Sequence, residues 1–194
     1  MESAGQSVNQ CIGRQGAFAF LKAAQAQKPE RLVFALMLAE DDALTLARFA
    51  DRLLAERELS GQRIKPARLH IPLYRLGRCT PAALYAAKLA GQAVAAAGLK
   101  LSFDAIGSVG RDLTLQSRDT ALATLQEKLG AALAKLGLSA TRLAPHLPLA
   151  MALARQPAQV IEPFTLTVTG LALLRAASKI DYDVLRRWPL NKLR

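Results

Sequence analysis

Both histidines of the chain head the same string, His70-Ile71-Pro72-Leu73 and His146-Leu147-Pro148-Leu149. Imidazole titrates near neutral pH, so two of them around one bond can divide the work of acid and base. Each string lies in an apolar run of strand character, and a long amphipathic stretch of helical period precedes each. Strict alternation puts His70, Pro72 and Tyr74 on one face of the first strand, with Leu69, Ile71 and Leu73 on the other. In the second, His146 and Pro148 oppose Leu147, Leu149 and Met151. Both histidines thus stand on the less apolar face. A single such histidine is usually a satisfied core residue; the twinned string predicts a shared two-fold site.

The elements that must position this pair come in a repeating order. Arg31 to Leu38 reads as a strand and AEDDALTLARFADRLLAERE as a helix, with the acidic pair Asp41-Asp42 at its N-terminus, where the helix dipole favours anions. The strand of His70 follows. Thr80 and Pro81 then open a second helix as cap and first residue, ahead of the strand KLSFDAIGSV. The second half repeats the pattern with DLTLQS, the helix DTALATLQEKLGAALAKLGL, the strand of His146 and the strand PFTLTVTGLALLRA. Leu101 to Gly107 aligns with Phe164 to Gly170, which extends the likeness beyond the histidines and points to an internal duplication. The expected fold is α+β: two pseudo-symmetric lobes, antiparallel-rich sheets facing a central cleft, helices outside. Residues 1–30 are polar and without period, and are expected to form a loose extension with a short helix near Ala17 to Ala26; residues 31–194 are expected to form one bilobal domain.

Bulk properties narrow the partners. A chain of 194 residues with 52% hydrophobic and 21% charged residues can bury a proper core. No apolar run reaches the roughly 18 residues that a membrane span needs, and the start MESAGQSVNQ lacks the basic opening of an export signal. A cytoplasmic protein with no membrane partner is expected. Cys11 and Cys79 have no metal spacing and are expected to be reduced thiols. The formal charge of +11 attracts polyanions, nucleic acid first among them. Arg63, Lys65, Arg68, Arg75 and Arg78 bracket His70, and a second basic run, RRWPLNKLR, closes the chain. Phosphate loops and dinucleotide fingerprints are absent.

From Arg31 onward the chain resembles the two-histidine phosphoesterase superfamily, and within it the bacterial RNA 2',3'-cyclic phosphodiesterases, also called 2'-5' RNA ligases. The resemblance rests on RLVFALML, LHIPLYRLG, PHLPLAMALA and the run Asp181 to Leu190, in that order. It implies a bilobal fold with two His-x-Thr motifs facing across a cleft, and a hydrolysis that uses no metal or cofactor. His146 would take the proton of a water attacking the cyclic phosphate, His70 would protonate the departing ribose oxygen, and a 2'-phosphate would remain. RNA ends or small cyclic nucleotides are the implied partners. Tyr74 and Arg75 are candidate substrate-binding residues, Tyr74 by stacking or by lining the cleft; Trp188 reads as a core anchor.

Two departures from that pattern bear on the chemistry. Pro72 and Pro148 stand where the family has hydroxyls that hold the phosphate, and proline has neither a hydroxyl nor an N–H to give. Ser102, Thr165, Thr167 and Thr169 are candidates to replace them. The arginine often found five residues after the family's second histidine is here Met151, while Arg75 holds the equivalent place after the first. Strict alternation points Arg75 away from His70, so a transfer of the cation between lobes requires an irregular strand. The alternative to an enzyme is a non-catalytic RNA- or nucleotide-binding descendant that keeps the basic groove.

Overall fold

The structure, a computed structural model, describes residues 30–94, 98–151, 154–178 and 181–190. The expected helix near Ala17 to Ala26 and Cys11 lie outside them. β1 (Arg31–Leu38) reads RLVFALML because both of its faces are covered. Leu32, Phe34 and Leu36 enter the main core, while Val33, Ala35 and Met37 join a small apolar cluster with Ala172, Leu174 and Tyr182 on the opposite face.

Among the described residues three α-helices cover the main core: α1 (Glu40–Glu56), α2 (Pro81–Ala93) and α3 (Thr120–Lys135). Each turns a stripe of helical spacing inward, such as Ala43, Leu46, Ala50 and Leu53 of α1 or Leu122, Leu125, Leu129 and Leu133 of α3. Thr80 caps α2 as its position implied, its hydroxyl accepting from the Ala83 N–H at 3.2 Å. Asp119 caps α3, accepting from the Ala121 N–H at 2.9 Å. Asp41 and Asp42 do open α1, and Asp42 also accepts from the Thr167 N–H of a neighbouring strand at 2.5 Å.

The remaining strands are β2 (Gln62–Arg63), β3 (His70–Arg78), β4 (Leu99–Val109), β5 (Asp112–Gln116), β6 (Ala140–Arg142), β7 (His146–Met151), β8 (Gln159–Ala176) and β9 (Tyr182–Pro189). They pair antiparallel in the order β2-β7-β5-β4-β8-β1-β3-β6, with β9 also on β8. The sheet has two mirrored halves, β6-β3-β1-β8 and β2-β7-β5-β4, each holding one histidine strand. The fold is therefore the α+β arrangement expected, with a correction to how the duplicated units map onto it. β4, the last strand of the first unit, pairs with β5 of the second, and β8, the last strand of the second, pairs with β1 of the first. The short strands cross over as well: β2 pairs with β7, and β6 with β3. The aligned segments around Leu101 and Phe164 turn out to be neighbouring strands, with Leu101 opposite Leu166 and Phe103 opposite Phe164.

Candidate active site

β3 and β7 approach each other where the two halves meet, and both histidines line one cleft of about 220 Å³. The rings are set alike. His70 Nδ1 lies 2.9 Å from the carbonyl of Arg68, and His146 Nδ1 lies 2.7 Å from the carbonyl of Ala144. A carbonyl only accepts, so each neutral ring carries its proton on Nδ1, and Nε2 is left as the nitrogen that can exchange a proton in the cleft. His70 is 9% exposed and His146 is half-buried. Burial and the facing His146 hold the His70 imidazolium below its ordinary 6.5, against an opposing contribution from the Arg68 carbonyl.

The strand irregularity that Arg75 requires is present. In the β1–β3 pairing Phe34 faces Tyr74 and Ala35 faces Pro72, so Leu73 has no partner and forms a β-bulge. The extra residue reverses the alternation beyond it. His70, Pro72 and Arg75 line the cleft, whereas Leu69, Ile71, Leu73, Tyr74 and Leu76 enter the core. β7 repeats the device against β5: Leu113 faces Ala150 and Thr114 faces Pro148, leaving Leu149 as the extra residue. The carbonyl of each bulged leucine is satisfied by the segment leading to or from an edge strand, Leu73 by the Leu143 N–H at 3.0 Å and Leu149 by the Ile64 N–H at 2.8 Å.

Tyr74 is the expectation that the bulge overturns. It does not line the cleft; it is 7% exposed in the core, and its hydroxyl donates to the carbonyl of Gln126 on α3 at 3.0 Å. A Cβ on Gly130 would lie 2.5 Å from that hydroxyl, so glycine is what lets the ring pack against the helix. Ser102, Thr165, Thr167 and Thr169 also stay out of the cleft lining. Thr169 instead donates to the Met37 and Leu38 carbonyls at 3.2 and 3.3 Å. Pro72 and Pro148 do line the cleft, as rings without donors. Trp188 packs beside the main core, its ring stacked on Phe34 with centroids 6.0 Å apart. Of the basic cluster, Arg63 pairs with Asp51 at 2.5 Å, and Cys79 is a free thiol.

Arg31, Ser178 and Tyr182 complete the polar lining. Tyr182 begins β9, and its ring meets His70 edge-on with centroids 5.0 Å apart and planes at 81°. Arg68 closes the arrangement. Its guanidinium sits 4.7 Å from the Tyr182 ring centroid and donates to the Tyr182 carbonyl at 2.5 Å, while its own carbonyl holds His70. Burial raises the Tyr182 phenol above its usual range, against the pull of Arg68 and Arg187. Tyr182 has no role that the sequence alone assigns, because only the pairing of β9 with β8 brings it to His70.

No family model and no curated protein matches the sequence. Solved structures do. The chain resembles LigT of E. coli in its apo form with a TM-score of 0.66 at 25% identity, over 84% of this chain and 99% of that one. The structure of LigT with 3'-AMP gives 0.65 at 25% identity, over 84% and 98%. The fold alone is shared with the PDE domain of MHV ns2, TM-score 0.57 at 23% identity, over 77% and 99%. Among the described residues no helix is long and apolar enough to cross a membrane. The chain thus has the fold of LigT, with two histidines set alike in one cleft, and is similar to the two-histidine phosphoesterases.

Proposed function

We propose that the chain is a metal-independent phosphodiesterase that opens 2',3'-cyclic phosphate ends of RNA, leaving a 2'-phosphate, by acid/base catalysis between His70 and His146. One observation carries this reading: two imidazoles in one cleft, each with Nδ1 held by the carbonyl two residues before it. That arrangement turns both Nε2 atoms into proton-exchanging groups for a phosphate placed between them. Arg31 and Arg75 give the same cleft two cations for the phosphate charge, and the net charge of +11 favours an RNA substrate. LigT has been solved with phosphate, 3'-AMP, ATP and NADP+, which is consistent with a phosphate-bearing nucleotide ligand here.

A second reading has its own observation. Pro72 and Pro148 both line the cleft and give it no hydroxyl, which suits a descendant that binds RNA or nucleotides without cleaving them. One experiment separates the two. Purified protein is incubated in chelator with RNA ending in a 2',3'-cyclic phosphate, beside the His70→Ala/His146→Ala double variant. Turnover by the unmodified protein alone supports the enzyme. Salt-sensitive binding with no turnover rejects it in favour of the binding protein.

A further inference from the structure

The two halves of the cleft match in backbone and differ in charge. On the His70 side the bulge at Leu73 carries Arg75 into the cleft, and Arg31 enters from β1. Arg68 lies over the Tyr182 ring that touches His70, and Arg187 of β9 acts on the same phenol. On the His146 side the place of Arg75, five residues past the histidine, belongs to Met151. Among the described residues no carboxylate lines the cleft, so the charged or titratable groups facing His70 there are Arg31, Arg75, Tyr182 and His146. His70 is also the more enclosed ring.

Enclosure opposes an imidazolium, and here it falls on His70 more than on His146, whose facing ring adds to it. The direction in which burial moves His70 agrees. With Nδ1–H donated to the Arg68 carbonyl, a neutral His70 offers the cleft a lone pair on Nε2. We infer that the two histidines work in the sense opposite to the one implied by the order of the family's motifs: His70 accepts the proton of the attacking water, and His146 donates to the departing ribose oxygen. This rests on the phosphodiesterase reading above. In the step, the water oxygen forms a bond to phosphorus as its proton passes to His70 Nε2. The bond from phosphorus to the ribose oxygen breaks, and that oxygen takes the proton of His146 Nε2. One water is consumed, and exchange with solvent restores both rings. The attacking water enters from the β3 side, and the ribose leaves toward β7.

The test compares His70→Ala and His146→Ala by the pH dependence of their residual turnover of a 2',3'-cyclic nucleotide. It repeats the comparison on catechol cyclic phosphate, whose phenolate leaves without a proton. A base must be unprotonated and an acid protonated. His146→Ala is therefore expected to keep only the rise in rate with pH, and His70→Ala only the fall. Each variant loses about 10²- to 10⁴-fold on the nucleotide, while on the catechol ester His146→Ala recovers to within about tenfold of the unmodified protein and His70→Ala does not. The opposite assignment of limbs, or recovery by His70→Ala, overturns the inference and leaves the phosphodiesterase standing. Equal loss with neither limb kept overturns the division of roles. An unmodified protein inactive on the nucleotide overturns the function itself, and this inference with it.

Discussion

Leu73 and Leu149 are the same residue of a repeated irregularity: each is the unpaired position of a bulge, three residues past a histidine. The two differ in support. The Leu73 carbonyl also accepts from the side-chain amide of Gln126 at 3.2 Å. That amide reaches the Leu143 carbonyl at 2.8 Å too, and its oxygen accepts from Arg142 Nε at 3.1 Å. Gln126 is fully buried.

Gln126→Ala is therefore expected to strip the β3 bulge of its internal support. Leaving these buried groups short of partners costs about 1–3 kcal/mol. Urea unfolding should show it as a lower midpoint with an unchanged slope, and the KM for a cyclic nucleotide should rise because the bulge is what presents Arg75.

Tyr74→Phe tests the core placement directly. It removes one hydrogen bond to the Gln126 carbonyl, about 0.5–1.5 kcal/mol of stability, and touches nothing in the cleft. Turnover and KM should stay within about twofold, since surface and core changes that spare a site act on stability alone. A base-stacking role would instead raise KM strongly in Tyr74→Leu at a temperature where the protein remains folded.

Restoring the hydroxyls should speed the reaction. Pro72 and Pro148 lie on strands tolerant of threonine, and each sits in the cleft beside a histidine. Pro72→Thr or Pro148→Thr is expected to raise kcat, by up to about 10²-fold for one well-placed donor. Single-turnover rates on the cyclic end measure it; an unchanged or lower rate in both variants would show that this cleft holds phosphate without a hydroxyl there.

Stability should fall with acid through His70. Its folded value lies below the 6.5 of the free group, so between these values the unfolded chain binds a proton that the folded chain refuses. The contribution is complete above about 6.5 and is lost as pH falls through the folded value. Denaturation midpoints taken downward from pH 7.5 should decline, and His70→Gln should flatten that part of the curve.

Much of this was legible in the sequence, for reasons that can be named. β1 was read to its exact ends because RLVFALML is apolar throughout, and α2 began where Thr80 and Pro81 said it would. β2, β6 and β9 were missed. The first two have two and three residues and carry no period, and β9 mixes Asp183, Arg186 and Arg187 with apolar residues without alternation, on a strand paired with β8. The bulges hid for a different reason. A run such as HIPLYRLGR has one obvious alternation, and nothing in it marks the residue that will lack a partner; that is decided by β1 and β5, far away in the chain. So the histidines were found, Tyr74 was turned the wrong way, and Tyr182 had no role.

β8 runs for 18 residues, its first part paired with β4 and its last with β1. The walls that hold His70 and His146 are consequently tied by one unbroken beam rather than by a hinge. Spreading them would disturb a ladder of main-chain hydrogen bonds, each worth about 0.5–1.5 kcal/mol net. The distance between the two walls is thus written into the sheet itself, through the one strand that both halves share.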